Sequence, residues 1–154
     1  MKQRRISMSR NMKVAFACYL LPALGLGAWG IMFVLRREFM PYHSAAVGMP
    51  WSAVPGTFQI LLLGLIKLAG GAFFTLAAAL VIILLIPFRQ GHRWTLWAAP
   101  SLGIVCCLGL WNAMAFIALN SPGSPPWSIT AVAVVLIGVG GFFSLRGNAS
   151  SRGA

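Results

Sequence analysis

The chain has 154 residues, of which 59% are hydrophobic and only 8% charged, so it is too apolar for an ordinary soluble domain. Its length allows one domain. Its net charge of +11 does not point to nucleic acid, because the basic residues sit at the ends of apolar blocks and form no continuous patch.

Four long apolar blocks follow one another, at 14–35, 58–86, 94–119 and 127–145. About 20 apolar residues of helix cross a hydrocarbon core of roughly 30 Å, and each block reaches or nearly reaches that length. None shows the period-2 alternation of a barrel strand, so the blocks read as transmembrane helices. The expected fold is an all-α integral membrane four-helix bundle. Residues 1–13 form a basic N-terminal segment, 14–145 the transmembrane domain, and 146–154 a short polar tail expected to be disordered.

Lys2, Arg4, Arg5, Arg10 and Lys13 precede the first block. Arg89 and Arg93 lie between the second and third, and Arg146 and Arg152 follow the fourth. The opposite side carries only Arg36 and Arg37. The positive-inside rule therefore predicts both termini in the cytoplasm and the 36–57 connection outside. The first block, 22 residues long and ending at Arg36-Arg37, is too long for a signal-peptide core and reads as the first span. If the source is bacterial, that makes the protein an inner-membrane one.

The turn-rich segment Asn120 to Pro126 predicts a tight bend, and short connections predict that consecutive helices pack as antiparallel neighbours. Trp94, Trp97 and Trp127 are placed as interfacial anchors. Gly71, Thr75 and Ala79, spaced by four, predict a close helix contact, as do Ala23 with Gly27 and Gly138, Gly140 and Gly141 in the last span. The 36–57 connection is long and holds the chain's one carboxylate. It is too apolar for disorder and is expected to fold back as a cap or a short interfacial helix.

Polar groups within or beside the spans are few. Lys67 is an ionisable residue inside the second block, which by default marks a functional site. Alternatively it lies near the outer interface and snorkels along its own methylene stem. Both readings stay open. Asn112, Gln59, Glu38, Tyr42 and His43 all map to the same half of the membrane, so these six residues form the candidate ligand-binding set, with Glu38 the one acid able to neutralise Lys67. Asn112 reads more often as a helix-packing hydrogen bonder than as a ligand group, and His43 beside Pro41 and Tyr42 more often as a loop-packing residue.

Catalytic signatures are missing. There is no Ser/His/Asp set, no paired carboxylates, no phosphate loop and no dinucleotide fingerprint. His43 and His92 fall on opposite sides of the membrane, so no shared metal or haem is expected, and no cofactor. Cys18, Cys106 and Cys107 lack redox spacing and read as small buried hydrophobes.

Several short stretches carry a family likeness. Pro41-Tyr42-His43, Val47 to Trp51, Lys67 to Gly71, Pro87-Phe88-Arg89 and Pro125-Pro126-Trp127 together resemble small bacterial four-span inner-membrane proteins of unassigned function. The likeness spans about residues 14–143, and the layout is similar to that of DoxX-like four-helix proteins. It implies a four-helix bundle in a bacterial inner membrane and carries over no catalytic residue.

Three functions remain in play. The first is a non-enzymatic protein with an outer-side pocket for a lipid-like or small amphipathic ligand, Lys67 meeting an anionic headgroup. The second is an accessory subunit packed against a membrane-protein partner or a second copy of itself. The third is a small transporter or channel, disfavoured because no span holds an acid.

Overall fold

The computed structural model describes residues 8–150. The basic residues before Met8 and the last four residues of the expected tail lie outside the described residues. Among the described residues there are five α-helices: α1 (Arg10–Leu35), α2 (Pro41–Val47), α3 (Gly56–Ile83), α4 (Thr95–Asn120) and α5 (Trp127–Ser150). Four of them are long and apolar enough to cross a bilayer, making this a multi-pass membrane protein. Helix is what such segments must form, because hydrocarbon offers backbone N–H and C=O groups no other partner.

The ends of each helix follow from local chemistry. The Ser9 hydroxyl accepts from the Met12 N–H and caps α1. Arg36 is extended and ends that helix. Pro41, with no N–H to lose, starts α2, and Gly48 closes it at φ 76°, a left-handed conformation suited to glycine. A single 3₁₀ turn, Trp51–Ala53, leads to α3. The 36–57 connection is thus a folded element. Pro87 cannot donate to the Ile83 carbonyl, and over Leu84–Phe88 the ladder widens to a π-helical turn. Gly91, at φ 79°, then reverses the chain. At its far end α5 continues past Leu145 to Ser150, with the Arg146 guanidinium 4.2 Å from the Phe142 ring one turn back, so residues 146–150 are helical where a polar tail was expected.

In cross-section the long helices run in the order α3, α1, α5, α4. Packing is most extensive between α1 and α3, then between α1 and α5 and between α4 and α5. The short turn between α3 and α4 does not make them close neighbours: they barely touch, and the Leu84–Phe88 turn supplies much of the contact with α4. At Gly30 and Gly70, α1 and α3 meet backbone to backbone. A Cβ on Gly70 would sit 2.8 Å from the Gly30 carbonyl oxygen, and one on Gly30 2.7 Å from the Phe74 nitrogen. The expected contact at Gly71, Thr75 and Ala79 is therefore one residue out of register. Nothing lies within 4 Å of a Gly71 Cβ, and Thr75 and Ala79 are exposed. One residue turns a helix by about 100°, enough to carry that stripe outward while Gly70 and Ala77 face in. In α5, Gly140 leaves room for the Tyr19 ring, 2.7 Å from where its Cβ would be, whereas Gly138 faces open space.

The α5 C-terminal half lies beside the start of α1, since a Cβ on Gly147 would lie 3.0 Å from Met12 Cγ. One end of the bundle therefore carries the start of α1, the 87–93 turn and the end of α5, and the other carries α2 and the 121–126 turn. The first end is solidly packed: Ala15, Tyr19, Leu84, Phe88, Leu96, Ala99, Cys107 and Ile137 form a continuous core. The outer faces are apolar, with Ile60 76%, Leu68 71% and Leu119 83% exposed, the arrangement that acyl chains cover and water does not.

Candidate functional site

The α2 end of the bundle is hollow. A cavity of about 560 Å³ runs between the four long helices, with Leu80, Ala99 and Tyr19 at its packed end and Tyr42, His43 and Pro126 at the other. Its size falls in the range of small-molecule sites. The space arises from small side chains turned inward. Ala99, Gly103, Cys106 and Ala113 follow one another along α4 at helical spacing, facing Ala133 and Thr130 of α5 and Ala23 of α1.

The roof is α2 with the 121–126 turn. A Cβ on Gly123 would stand 2.9 Å from the Tyr42 carbonyl oxygen and 3.0 Å from Ala46 Cβ, so a glycine is needed for α2 to lie this close. The roof has its own anchors. Phe39 is buried and its ring meets Trp51 edge-on at 4.9 Å between centroids, while Val54 is buried beside them. The Gln59 side chain donates to the Trp51 and Val54 carbonyls, each at 3.0 Å, tying the 3₁₀ turn to the start of α3. A shallow outer depression shares Trp29, Tyr42 and Pro126 with the cavity, marking where it approaches the surface.

Of the six candidate residues, only Tyr42 and His43 line the cavity. Lys67 is exposed on α3, and its ammonium donates to the Val34 carbonyl in the last turn of α1. That carbonyl is one of the four left without an intrahelical partner at a helix end, so the lysine caps α1 from a neighbouring helix. Glu38 is exposed in the turn after α1, and Asn112 is exposed on the outer face of α4. Gln59 is spent on the roof. The structure thus does not assemble Glu38, His43, Lys67 and Asn112 into one cluster.

His43 is held in a defined state. Its Nδ1 accepts the Met40 N–H at 3.3 Å, so the neutral ring carries its proton on Nε2. Its ring stands 4.1 Å from that of Tyr42. Burial, with the positive charge of Arg36 adding to it, lowers the His43 pKa below its ordinary 6.5. Burial also raises that of the Tyr42 hydroxyl. Both shifts favour the neutral forms. Below pH 6.5 an undocked His43 binds a proton that the docked one refuses, so protonation favours the undocked state. Docking of α2 is therefore expected to be constant above about pH 7 and to weaken as pH falls through 6.5. Amide protection factors across 41–47, with the intrinsic pH dependence of exchange divided out, should fall on the acid side in the wild type and stay flat in His43→Gln. Flat protection factors in the wild type would refute this.

Two further polar pairs went unforeseen. The Tyr19 hydroxyl shares a hydrogen bond with Ser144 Oγ at 3.3 Å, and the Ser144 hydroxyl also donates to the Gly141 carbonyl. Trp111 Nε1 donates to Thr130 Oγ1 at 2.9 Å, and the Thr130 hydroxyl donates to the Trp127 carbonyl. Both pairs join neighbouring helices. The readable sign was a polar-tipped aromatic inside a span, which in hydrocarbon needs a partner. Cys106 and Cys107 also line the cavity as free thiols. Among the described residues, no group of three His, Cys, Asp or Glu could hold a metal ion.

No family model matches the chain, and no curated protein or solved structure does so either.

Proposed function

We propose that this protein is a non-enzymatic membrane protein that holds one lipid-like or small amphipathic molecule in the cavity between its helices. The observation that carries this reading is the cavity itself: about 560 Å³, almost wholly apolar, and roofed by a dedicated element. Interiors are ordinarily packed to the density of organic crystals, so a void of this size forfeits contacts unless something fills it. The loose side between α3 and α4 supplies lateral access for a molecule already dissolved in the bilayer. Arg10, Lys13, Arg89, Arg93 and Arg146 at the packed end support an orientation with that end in the cytoplasm and the roof outside, in an inner membrane if the source is bacterial. Lys67 has no part in the site on this reading, because it caps α1 from outside the cavity.

Native mass spectrometry of the protein released from nanodiscs of its own membrane lipids tests the reading. A discrete adduct is expected on the wild type and on Lys67→Met. Ala133→Phe, which fills the cavity from α5, should lose it while keeping its helicity. A bare wild-type protein, or equal occupancy in Ala133→Phe, would remove the basis for a binding function.

A further inference from the structure

The cavity holds information about the head of its ligand as well as the tail. Among the described residues, no lysine, arginine, aspartate or glutamate lines it. Of the lining side chains with an O–H or N–H to offer, Tyr19 and Thr130 are engaged: Tyr19 with Ser144, and Thr130 with Trp127 and Trp111. That leaves the Tyr42 hydroxyl, His43 Nε2 and the Trp29 indole N–H. His43 Nδ1 is taken by the Met40 N–H, so Nε2 of the neutral ring is a donor. None of the three is sealed in apolar surroundings, since no buried side-chain nitrogen or oxygen among the described residues lacks a partner. The Tyr42 and His43 rings are adjacent in the roof, and Trp29 shares the outer depression with Tyr42, so the three donors lie at one end of an otherwise apolar space.

We propose that the roof selects an uncharged ligand whose head accepts hydrogen bonds from Tyr42 and His43, with its hydrocarbon tail running toward Leu80 and Ala99. This rests on the cavity-binding reading above. A long-chain alcohol, ester or quinone has such a head. A phosphate or carboxylate fits less well, because among the described residues no lysine or arginine lines the space to neutralise its charge. The nearest rival is Arg36, which lies close enough to lower the His43 pKa but does not line the cavity. An anionic head reaching out to Arg36 is therefore the outcome that must be separated from this one.

The test uses the full chain in nanodiscs at pH 8, where His43 is neutral, with three probes sharing one tail: radiolabelled 1-hexadecanol, hexadecyl sulfate and hexadecane. Partition between protein-loaded and empty discs gives each affinity. The wild type should hold hexadecanol about tenfold more tightly than hexadecane, the worth of one to two hydrogen bonds. Tyr42→Phe should lose part of that preference, Tyr42→Phe with His43→Met most of it, and Trp29→Phe less than either. Each variant is read as its ratio of alcohol to hydrocarbon binding, so a general change in the cavity cancels, and circular dichroism shows that it is folded. Equal binding of alcohol and hydrocarbon by the wild type overturns the head selection and leaves the cavity reading standing. Preference for the sulfate, lost in Arg36→Gln, overturns it in favour of an anionic ligand. Failure of all three probes to enrich over empty discs sinks the cavity reading itself.

Discussion

Gly70→Val is expected to prevent the four-helix unit from forming. The first atom of the new side chain would lie 2.7 Å from Phe33 Cβ, 2.8 Å from the Gly30 carbonyl oxygen and 2.9 Å from the Val34 nitrogen. Two of these three are backbone atoms inside α1, and no rotamer change relieves them. The helices would have to separate along the most extensive interface in the molecule. Overpacking at sites that can adjust costs about 1–3 kcal/mol, and this site has little room to adjust. A cost of about 3 kcal/mol against total stabilities of about 5–15 kcal/mol would still leave the protein folded. The loss of fold comes from the forced separation of α1 and α3, which forfeits most of their shared interface. In a membrane the contact is also hard to replace, since close backbone approach, and not water exclusion, is what draws helices together there. Gly71→Val is the control, because its side chain would enter open space. Thermal unfolding in detergent, followed by circular dichroism, should show Gly71→Val near the wild type and Gly70→Val without a cooperative transition. Similar curves for the two would mean that α1 and α3 do not cross where they are described.

That pair of glycines also shows what the sequence could and could not convey. The spans were legible because each is a long apolar block, and hydrophobicity summed over 20 residues hardly depends on register. Which glycine faces a neighbour depends on rotation, and the spacing-of-four pattern picks out Gly71-Thr75-Ala79, whereas the small residues that face inward are Gly70 and, seven residues on, Ala77. Lys67 shows the same limit. Its partner, the Val34 carbonyl, lies 33 residues away on another helix, and only the crossing of α1 and α3 brings the two together. Within the candidate set, Tyr42 and His43 could be singled out because polar aromatics in an apolar connection need somewhere to dock. Asn112 was equally visible, yet its exposure on α4 turns on a rotation that composition does not record. The cavity was the hardest feature to foresee. It exists because α3 and α4 stay apart and because Ala99, Gly103, Cys106 and Ala113 share a face, a pattern that reads just as well as a tight helix contact.

Gly123→Val should detach the roof and leave the bundle standing. Its Cβ would press on the Tyr42 carbonyl oxygen at 2.9 Å, on Ala46 Cβ at 3.0 Å and on Ile117 Cγ2 at 3.1 Å. Two of those atoms belong to α2, a seven-residue helix with few contacts to the long helices. Strain at a boundary is relieved on its weaker side, so α2 moves, whereas α4 is anchored to α5 by packing and by the Trp111–Thr130 hydrogen bond. The cost of about 1–3 kcal/mol then falls on roof docking and not on global stability. If docking is worth a similar amount, a shift of 2 kcal/mol turns a closed roof into one open much of the time, at about thirtyfold in the equilibrium constant. Amide exchange over 41–47 should rise by about that factor, with the unfolding midpoint of the bundle nearly unchanged. Bound ligand should be lost faster in proportion, because Tyr42 and His43 leave with the helix that carries them. Gly123→Ala, with a single added methyl, should show the same changes in smaller measure. Loss of the global unfolding transition in Gly123→Val would instead make the 121–126 turn part of the bundle's core. Unchanged exchange and unchanged ligand release would mean that α2 is not the element that closes the cavity.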